Sequence, residues 1–187
     1  MKKYLSVFLA AVMALSLFAG CGGNKAETPV TTETTAATEA AVSVEGTMEE
    51  LLNKIVEERP VEFMAGVMPI DLTDTSEEGL WAIQSNTGLT DASQITEAAV
   101  FAPMIGSMPF SMVMVRVAPE VGTKTVAEEM KAGIDPRKWV CVEANDVLVA
   151  GYGDVVMHIM LDNTNGLTAQ SFVDAFAKVV GEPEFVI

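Results

Sequence analysis

The most restrictive feature of this sequence is its amino-terminal quarter, which cannot contribute to a folded core. Two lysines are followed by an uncharged, mainly apolar stretch over residues 4–18, and two small residues then precede Cys21. A basic start, an apolar stretch and a small-residue ending together form an export signal. We therefore predict a cleaved signal peptide over residues 1–20. The alternative, an uncleaved membrane-spanning helix, is disfavoured because the apolar stretch is short and no charge cluster follows Gly23.

The residues before the cysteine also carry a family resemblance. They read Leu17-Phe18-Ala19-Gly20-Cys21, which resembles the lipobox of bacterial lipoproteins. In that family the cysteine thiol carries a diacylglyceryl group, and the peptide bond before it is cleaved. The resemblance implies that Cys21 is the lipidation site and the first residue of the mature chain. Because two or more acyl chains anchor a protein stably, we expect a location on the outer, extracytoplasmic face of the cell membrane, with the membrane as a partner.

The segment after the cysteine has the composition of a linker. Residues 21–45 are rich in Thr, Ala, Glu and Gly and contain no aromatic side chain. Such a segment buries too little apolar surface to offset the entropy of ordering, so we predict a lipidated cysteine followed by a flexible linker. Residues 46–187 are then a single extracytoplasmic domain. Half of the chain is apolar, so this domain can form a core without disulfides or a metal.

The net charge excludes one class of partner. The chain has 11 basic and 26 acidic residues, a formal charge of -15, and loss of Lys2 and Lys3 with the signal peptide makes it -17. A surface of this charge repels nucleic acid, which we therefore exclude as a partner. Cations and basic protein surfaces fit the charge better, and the simplest interpretation is that the acidic residues provide solubility.

The remaining pattern predicts alternating helices and strands. Capping residues ahead of apolar positions at helical spacing predict helices that begin near Thr47, Thr75, Thr125 and Thr168. Apolar runs predict strands over residues 61–72, 95–104, 110–117, 138–150 and 155–161, the last two joined by a turn at residues 151–154. This order predicts an α+β fold, with a largely antiparallel sheet and helices packed on one face.

Two apolar segments are expected to contribute buried side chains. Leu80, Trp81 and Ile83 are expected to face the core from the second helix. In the run Trp139-Val140-Cys141-Val142 of the fourth strand, Cys141 is expected to be a buried and inert thiol. Because Cys21 is assigned to lipid, we expect no disulfide in the mature chain.

The domain also resembles a known family. From Glu97 onward, the order of elements, the pair Asn145-Asp146 and the Gly151-Tyr152 turn are similar to a family of small Gram-positive lipoproteins known only as a domain of unknown function. The lipobox and the Thr/Glu-rich linker extend this resemblance, which covers about half of the chain. It implies location and overall shape, and no activity, cofactor or catalytic residue.

Nucleophilic catalysis would need a base, and His158 is the only histidine. If the last hairpin turns at Tyr152-Gly153, His158 faces Val147 and lies roughly 20 Å from Cys141 at the strand rise. A Cys-His pair is therefore not expected. A serine triad through His158 stays open, although no Gly-x-Ser-x-Gly elbow is present. The simplest interpretation is a strand histidine that is satisfied or partly exposed.

Two groups of residues are similar to metal sites. Residues 162–166 place glycine fifth, where a calcium loop of the EF-hand type has it sixth, and position twelve is Val173, so we expect a polar turn. Met108, Met112 and Met114 share a strand face and could present thioethers to Cu(I), but methionine more often fills cores. Paired carboxylates in the helices are interpreted as solvent-facing charge. We therefore predict no catalytic, cofactor-binding or metal residue.

The resulting expectation is a non-enzymatic module that binds a protein, a peptide or a small ligand. The alternative is a small cell-envelope hydrolase or wall-modifying enzyme that uses carboxylates and His158. The surroundings of His158 discriminate between these two functions, because a concave pocket that contains it would favour the enzyme.

Overall fold

A computed structural model describes residues 42–187. The helices of this part are α1 (Met48–Glu58), α2 (Glu77–Thr87), α3 (Thr123–Gly133) and α4 (Ala169–Val179). Its strands are β1 (Ala65–Pro69), β2 (Ile95–Pro103), β3 (Phe110–Val117), β4 (Asp146–Tyr152), β5 (Val155–Leu161) and β6 (Phe185–Val186). They form one sheet in the order β1-β2-β3-β5-β4-β6, and each neighbouring pair is antiparallel. Within residues 42–187, the helices are too short or too polar to span a bilayer.

Both faces of the sheet are covered by helices. In β3 every residue except Arg116 is buried, with Phe110 and Met112 on one face and Val113 and Val115 on the other. Helices α1 and α4 pack on the first face, and α2 and α3 pack on the second. The predicted α+β class, with an antiparallel sheet and helices packed on it, is confirmed. The prediction placed the helices on one face, whereas the structure has two on each, because the central strands are apolar on both sides.

Capping explains where the helices begin. Thr47 Oγ1 accepts a hydrogen bond from the Glu50 amide at 3.1 Å, and Glu50 Oε2 accepts one from the Thr47 amide at 3.1 Å. This reciprocal pair is the capping box predicted for α1. Ser76 and Thr168 cap α2 and α4 through their hydroxyl oxygens. Helix α3 begins at Thr123, slightly earlier than the sequence predicted.

The hairpin of β4 and β5 differs in register from the prediction. It turns at Gly153-Asp154, one residue later than expected, so His158 lies opposite Val149 and not Val147. Gly153 has a φ of +56°, which suits glycine in a tight turn. A Cβ atom here would also collide with the carbonyl oxygen of Val42.

The predicted strand over residues 138–150 is wrong in its first half. Residues 134–145 form an irregular loop, and β4 begins at Asp146. Cys141 has a φ of +64°, a left-handed conformation that is incompatible with a strand. Its side chain and that of Val140 are exposed, so the expected buried thiol is also wrong.

The chain enters the fold through a segment bound at one end of the sheet, which we call the entry segment (Val42–Gly46). The carbonyl oxygen of Val42 accepts from the Asp154 amide at 2.9 Å, and Asp154 Oδ1 accepts from the Val44 amide at 2.9 Å. Arg116 Nη1 donates to Val44 O at 3.0 Å and to Asp154 Oδ2 at 2.7 Å. Arg116 Nη2 donates to Gly46 O at 2.6 Å. The entry segment is therefore tied to the end of β3 and to the β4–β5 turn.

Candidate functional site

Two glycines bring the end of α2 against the end of α3. Gly88 terminates α2 with a φ of +79°, and Gly133 is the last residue of α3. A Cβ atom on Gly133 would collide with the carbonyl oxygen of Gly88, so the backbones can approach only because both residues lack side chains. This close approach holds α2 beside the loop of residues 134–145.

A cleft of about 450 Å³ lies between α2 and that loop. We call it the Trp81 cleft, and its lining residues are Trp81, Gln84, Ser85, Gly133, Asp135, Arg137 and Lys138. Its volume lies in the range of small-molecule sites, which is roughly 300–1,000 Å³.

The position of Trp81 corrects a prediction from the sequence. Trp81 is 67% exposed and Leu80 is 51% exposed, so their predicted burial is wrong, whereas that of Ile83 is confirmed. The buried residues of α2 are Gly79, Ile83 and Thr87, four residues apart. Because residues at this spacing share one helix face, Trp81 is turned toward the surface.

Lys138 forms the floor of the cleft. Its Nζ donates to Ser111 Oγ at 3.1 Å, to Asn86 Oδ1 at 3.3 Å and to Ser85 O at 3.3 Å. It also lies 5.5 Å from the centroid of the Trp139 ring. Within residues 42–187, no carboxylate forms an ion pair with this ammonium group. Burial lowers the pKa of Lys138 from 10.5 to about 8, so the amine is still mostly charged at neutral pH.

The only histidine lies in the core behind this lysine. His158 is fully buried, and its Nε2 is 2.7 Å from the carbonyl oxygen of Asn86. Because a carbonyl oxygen only accepts, Nε2 carries the proton, and Nδ1 is a buried acceptor without a hydrogen-bond partner. Burial, together with the nearby charge of Lys138, lowers the pKa of His158 to about 4 despite its hydrogen bond to Asn86. A neutral and inaccessible ring cannot exchange protons with a substrate, and it forms no hydrogen bond with the exposed thiol of Cys141.

A second, shallower cleft of about 330 Å³ continues along the loop. It is lined by Arg137, Trp139, Cys141, Val142 and Glu143. Arg137 Nε lies 3.5 Å from Glu143 Oε2, an exposed ion pair of the kind that contributes little to stability. Arg137 therefore borders both clefts. The two tryptophans of the chain flank a single surface around Lys138.

The other candidate motifs have structural roles. Asp162 Oδ1 accepts from the Thr164 amide at 3.0 Å in a short 3-10 turn, and the Thr164 hydrogen bonds hold the pKa of Asp162 below its usual value. The expected polar turn is confirmed. Met112 and Met114 are fully buried in the core under α1 and α4, with Met108 packed against it. Across residues 42–187, no three side chains of His, Cys, Asp or Glu are grouped as a metal site would require.

The site residues Lys138 and Trp81 were not identified from the sequence. The signal that could have found Lys138 is the pair Arg137-Lys138, the only two adjacent basic residues after the leader in a strongly acidic chain. No comparable signal marked Trp81, because its spacing fitted a buried helix face.

Cys21, the predicted lipidation site, lies outside the described residues. Comparison of the chain with protein-family models, curated proteins and solved structures gave no match. The chemistry of the Trp81 cleft is therefore the basis for assigning a function.

Proposed function

We propose that this chain is a lipid-anchored, extracytoplasmic binding protein whose ligand occupies the Trp81 cleft. The observation that carries this proposal is Lys138, a largely buried cation without a carboxylate partner in residues 42–187. Burial of an unpaired charge destabilises a fold. Such a group at the floor of an open cleft is typical of a functional site.

The other groups of the cleft favour binding over catalysis. Asp135 Oδ1 accepts a hydrogen bond from the Arg137 amide at 2.9 Å, and the Arg137 side chain is paired with Glu143. His158 is sealed in the core. The lining thus supplies an aromatic wall and a few polar groups, which is the usual composition of a ligand site.

The position of the entry segment supports presentation of the cleft away from the membrane. Lys138 contacts Ser111 near the start of β3, whereas the entry segment contacts Arg116 near its end. These positions are about 17 Å apart at the rise of a strand. The flexible linker predicted over residues 21–45 overlaps the bound entry segment from Val42 onward. If the roughly 20 residues between Cys21 and Val42 are flexible, their root-mean-square length is about 25 Å, which is enough to separate the domain from the headgroups.

Labelling of growing cells with radioactive fatty acid tests the anchor. We expect the wild-type chain to carry label and the Cys21→Ser variant to carry none. The matched control is Cys141→Ser, which changes the other cysteine of the chain and should be labelled like the wild type. An unlabelled wild-type chain would contradict the lipid anchor, whatever the cleft binds.

A photo-crosslinking amino acid in place of Trp81 tests the cleft in intact cells. We expect a discrete adduct at position 81 and none at position 170, because Gln170 is also exposed but lies on α4, on the opposite face of the sheet. No adduct at position 81, or the same adducts at both positions, would refute the cleft as the binding site.

A second candidate function, a small cell-envelope hydrolase, is favoured by the 3.1 Å contact of Lys138 Nζ with Ser111 Oγ. A lysine with a pKa near 8 is deprotonated in a fraction of the molecules at neutral pH, and the neutral amine can then accept the proton of the serine hydroxyl. Ser111 is fully buried beneath Lys138, so a substrate would reach it only after the lysine side chain moves. Labelling by a fluorophosphonate probe that is lost in Ser111→Ala would support the hydrolase, and an unlabelled chain would dismiss it.

A further inference from the structure

We propose that the ligand of the Trp81 cleft is a monocarboxylate attached to an apolar or aromatic group, which is the chemistry of a peptide carboxyl terminus. This inference rests on the binding function proposed above. The floor of the cleft selects the charge, and its wall selects the apolar group.

The charge of the lining matches one negative charge. Its ionisable members are Asp135, Arg137 and Lys138, and because Arg137 is paired with Glu143, Lys138 is the one cation of the lining that has no carboxylate partner within residues 42–187. His158, behind the floor, is neutral above a pH of about 4. The wall that α2 contributes carries no ionisable side chain. A dianion such as phosphate would leave an excess negative charge in a protein that already carries -15.

A carboxylate would bind the ammonium group of Lys138 more strongly than its present hydrogen-bond acceptors do. All three present acceptors are neutral, and the contacts to Asn86 Oδ1 and Ser85 O, each 3.3 Å, are longer than the usual distance of about 2.9–3.0 Å. A carboxylate oxygen in place of these two would form a shorter, charge-assisted bond and would neutralise the ammonium group. The hydrogen bond to Ser111 could be retained and would orient the amine.

The wall of the cleft favours an apolar group next to the carboxylate. Trp81 lines the cleft, and the residue is 67% exposed. An aromatic or aliphatic side chain packed on the indole would bury apolar area that is now in contact with water. A volume of about 450 Å³ suits one or two terminal residues of a peptide.

Two probes that differ only in charge test the inference. N-acetylphenylalanine has the free carboxylate, and N-acetylphenylalaninamide replaces it with a neutral amide. The purified full chain is used with Trp139→Phe, because Trp81 is then the only indole and its fluorescence reports the cleft alone. We expect saturable binding of the acid with an affinity about tenfold higher than that of the amide. Equal affinities, or no saturable change with the acid, would overturn the assignment.

Variants locate the effect at the floor of the cleft. Lys138→Met should weaken binding of the acid about tenfold and leave binding of the amide unchanged. Lys131→Met is the matched control, because Lys131 is an exposed lysine of α3 that does not line the cleft. Trp81→Ala, which alters only a surface side chain, should weaken both probes when binding is followed by calorimetry. Retention of the preference for the acid in Lys138→Met would refute the role of this ammonium group.

The outcomes separate the ligand class from the binding function. If position 81 forms adducts in cells while the acid and the amide bind alike, the carboxylate assignment is wrong and the binding function stands. If position 81 forms no adduct and neither probe binds, both proposals are refuted.

Discussion

Replacement of Lys138 by methionine should stabilise the chain at about pH 7, and this gain should disappear at high pH. The pKa of Lys138 is about 8 in the fold and 10.5 for an ordinary lysine, a difference of about 2.5 units. At about 1.36 kcal/mol per unit, burial of the ammonium group destabilises the fold by about 3.4 kcal/mol below pH 8. Loss of the hydrogen bond to Ser111 offsets about 1 kcal/mol, which leaves a net gain of about 2 kcal/mol for Lys138→Met.

The pH dependence isolates this effect from other consequences of the substitution. Between pH 8 and 10.5 the unfolded wild-type chain binds more protons than the folded one, so the stability contributed by this site rises with pH. The advantage of Lys138→Met over the wild type should therefore fall by about 3 kcal/mol from about pH 7 to pH 10.5. Urea unfolding followed by circular dichroism at both pH values measures it, with Lys131→Met as the control. A difference that does not change with pH would refute the claim that Lys138 is a destabilising buried cation.

Three further predictions concern the core and the loop. The imidazole NMR signals of His158, the only histidine, should not titrate near pH 6.5, and a titration near that pH would contradict the burial of the ring. The free energy of unfolding should also fall by up to about 3 kcal/mol between pH 6.5 and about pH 4, because in this range the ring is protonated only in the unfolded chain. Phe110→Ala should lower the free energy of unfolding in urea by about 3–5 kcal/mol, because Phe110 is fully buried among three aromatic rings whose centroids are 5.2–5.8 Å away. A decrease of less than about 1 kcal/mol would count against this packing. The thiol of Cys141 should react with Ellman's reagent as fast in the native chain as in urea, whereas protection in the native state would show that the loop is closed.

The regular elements could be predicted where two independent signals agree. The strands over residues 110–117 and 155–161 have the bounds that the sequence predicted, because each is a continuous apolar run between turn residues. Helix α1 begins after Thr47 because a capping box precedes an amphipathic pattern. Because β3 is apolar on both faces, both faces of the sheet must be covered by helices. The order of helices and strands along the chain does not by itself reveal this.

The candidate site could not be predicted, because it depends on tertiary placement. The apolar run Trp139-Val140-Cys141-Val142 is compatible with a strand by composition, and only the left-handed backbone at Cys141 prevents it. The direction of Trp81 depends on which face of α2 is buried, and that is decided by contacts with the sheet and α3. Lys138 becomes notable only when its side chain reaches Ser111, which belongs to a distant strand.

The attachment of the entry segment determines where tension is carried in this domain. A pull on the chain ahead of Val42 reaches the hydrogen bond with Asp154 first, then the guanidinium group of Arg116, and only afterwards the first turn of α1. As long as these hydrogen bonds hold, a force applied to the chain ahead of Val42 is not transmitted to α1 and the core beneath it. If the chain is anchored through its amino terminus as proposed, a pulling force therefore breaks the polar contacts of the entry segment first and exposes the hydrophobic core last.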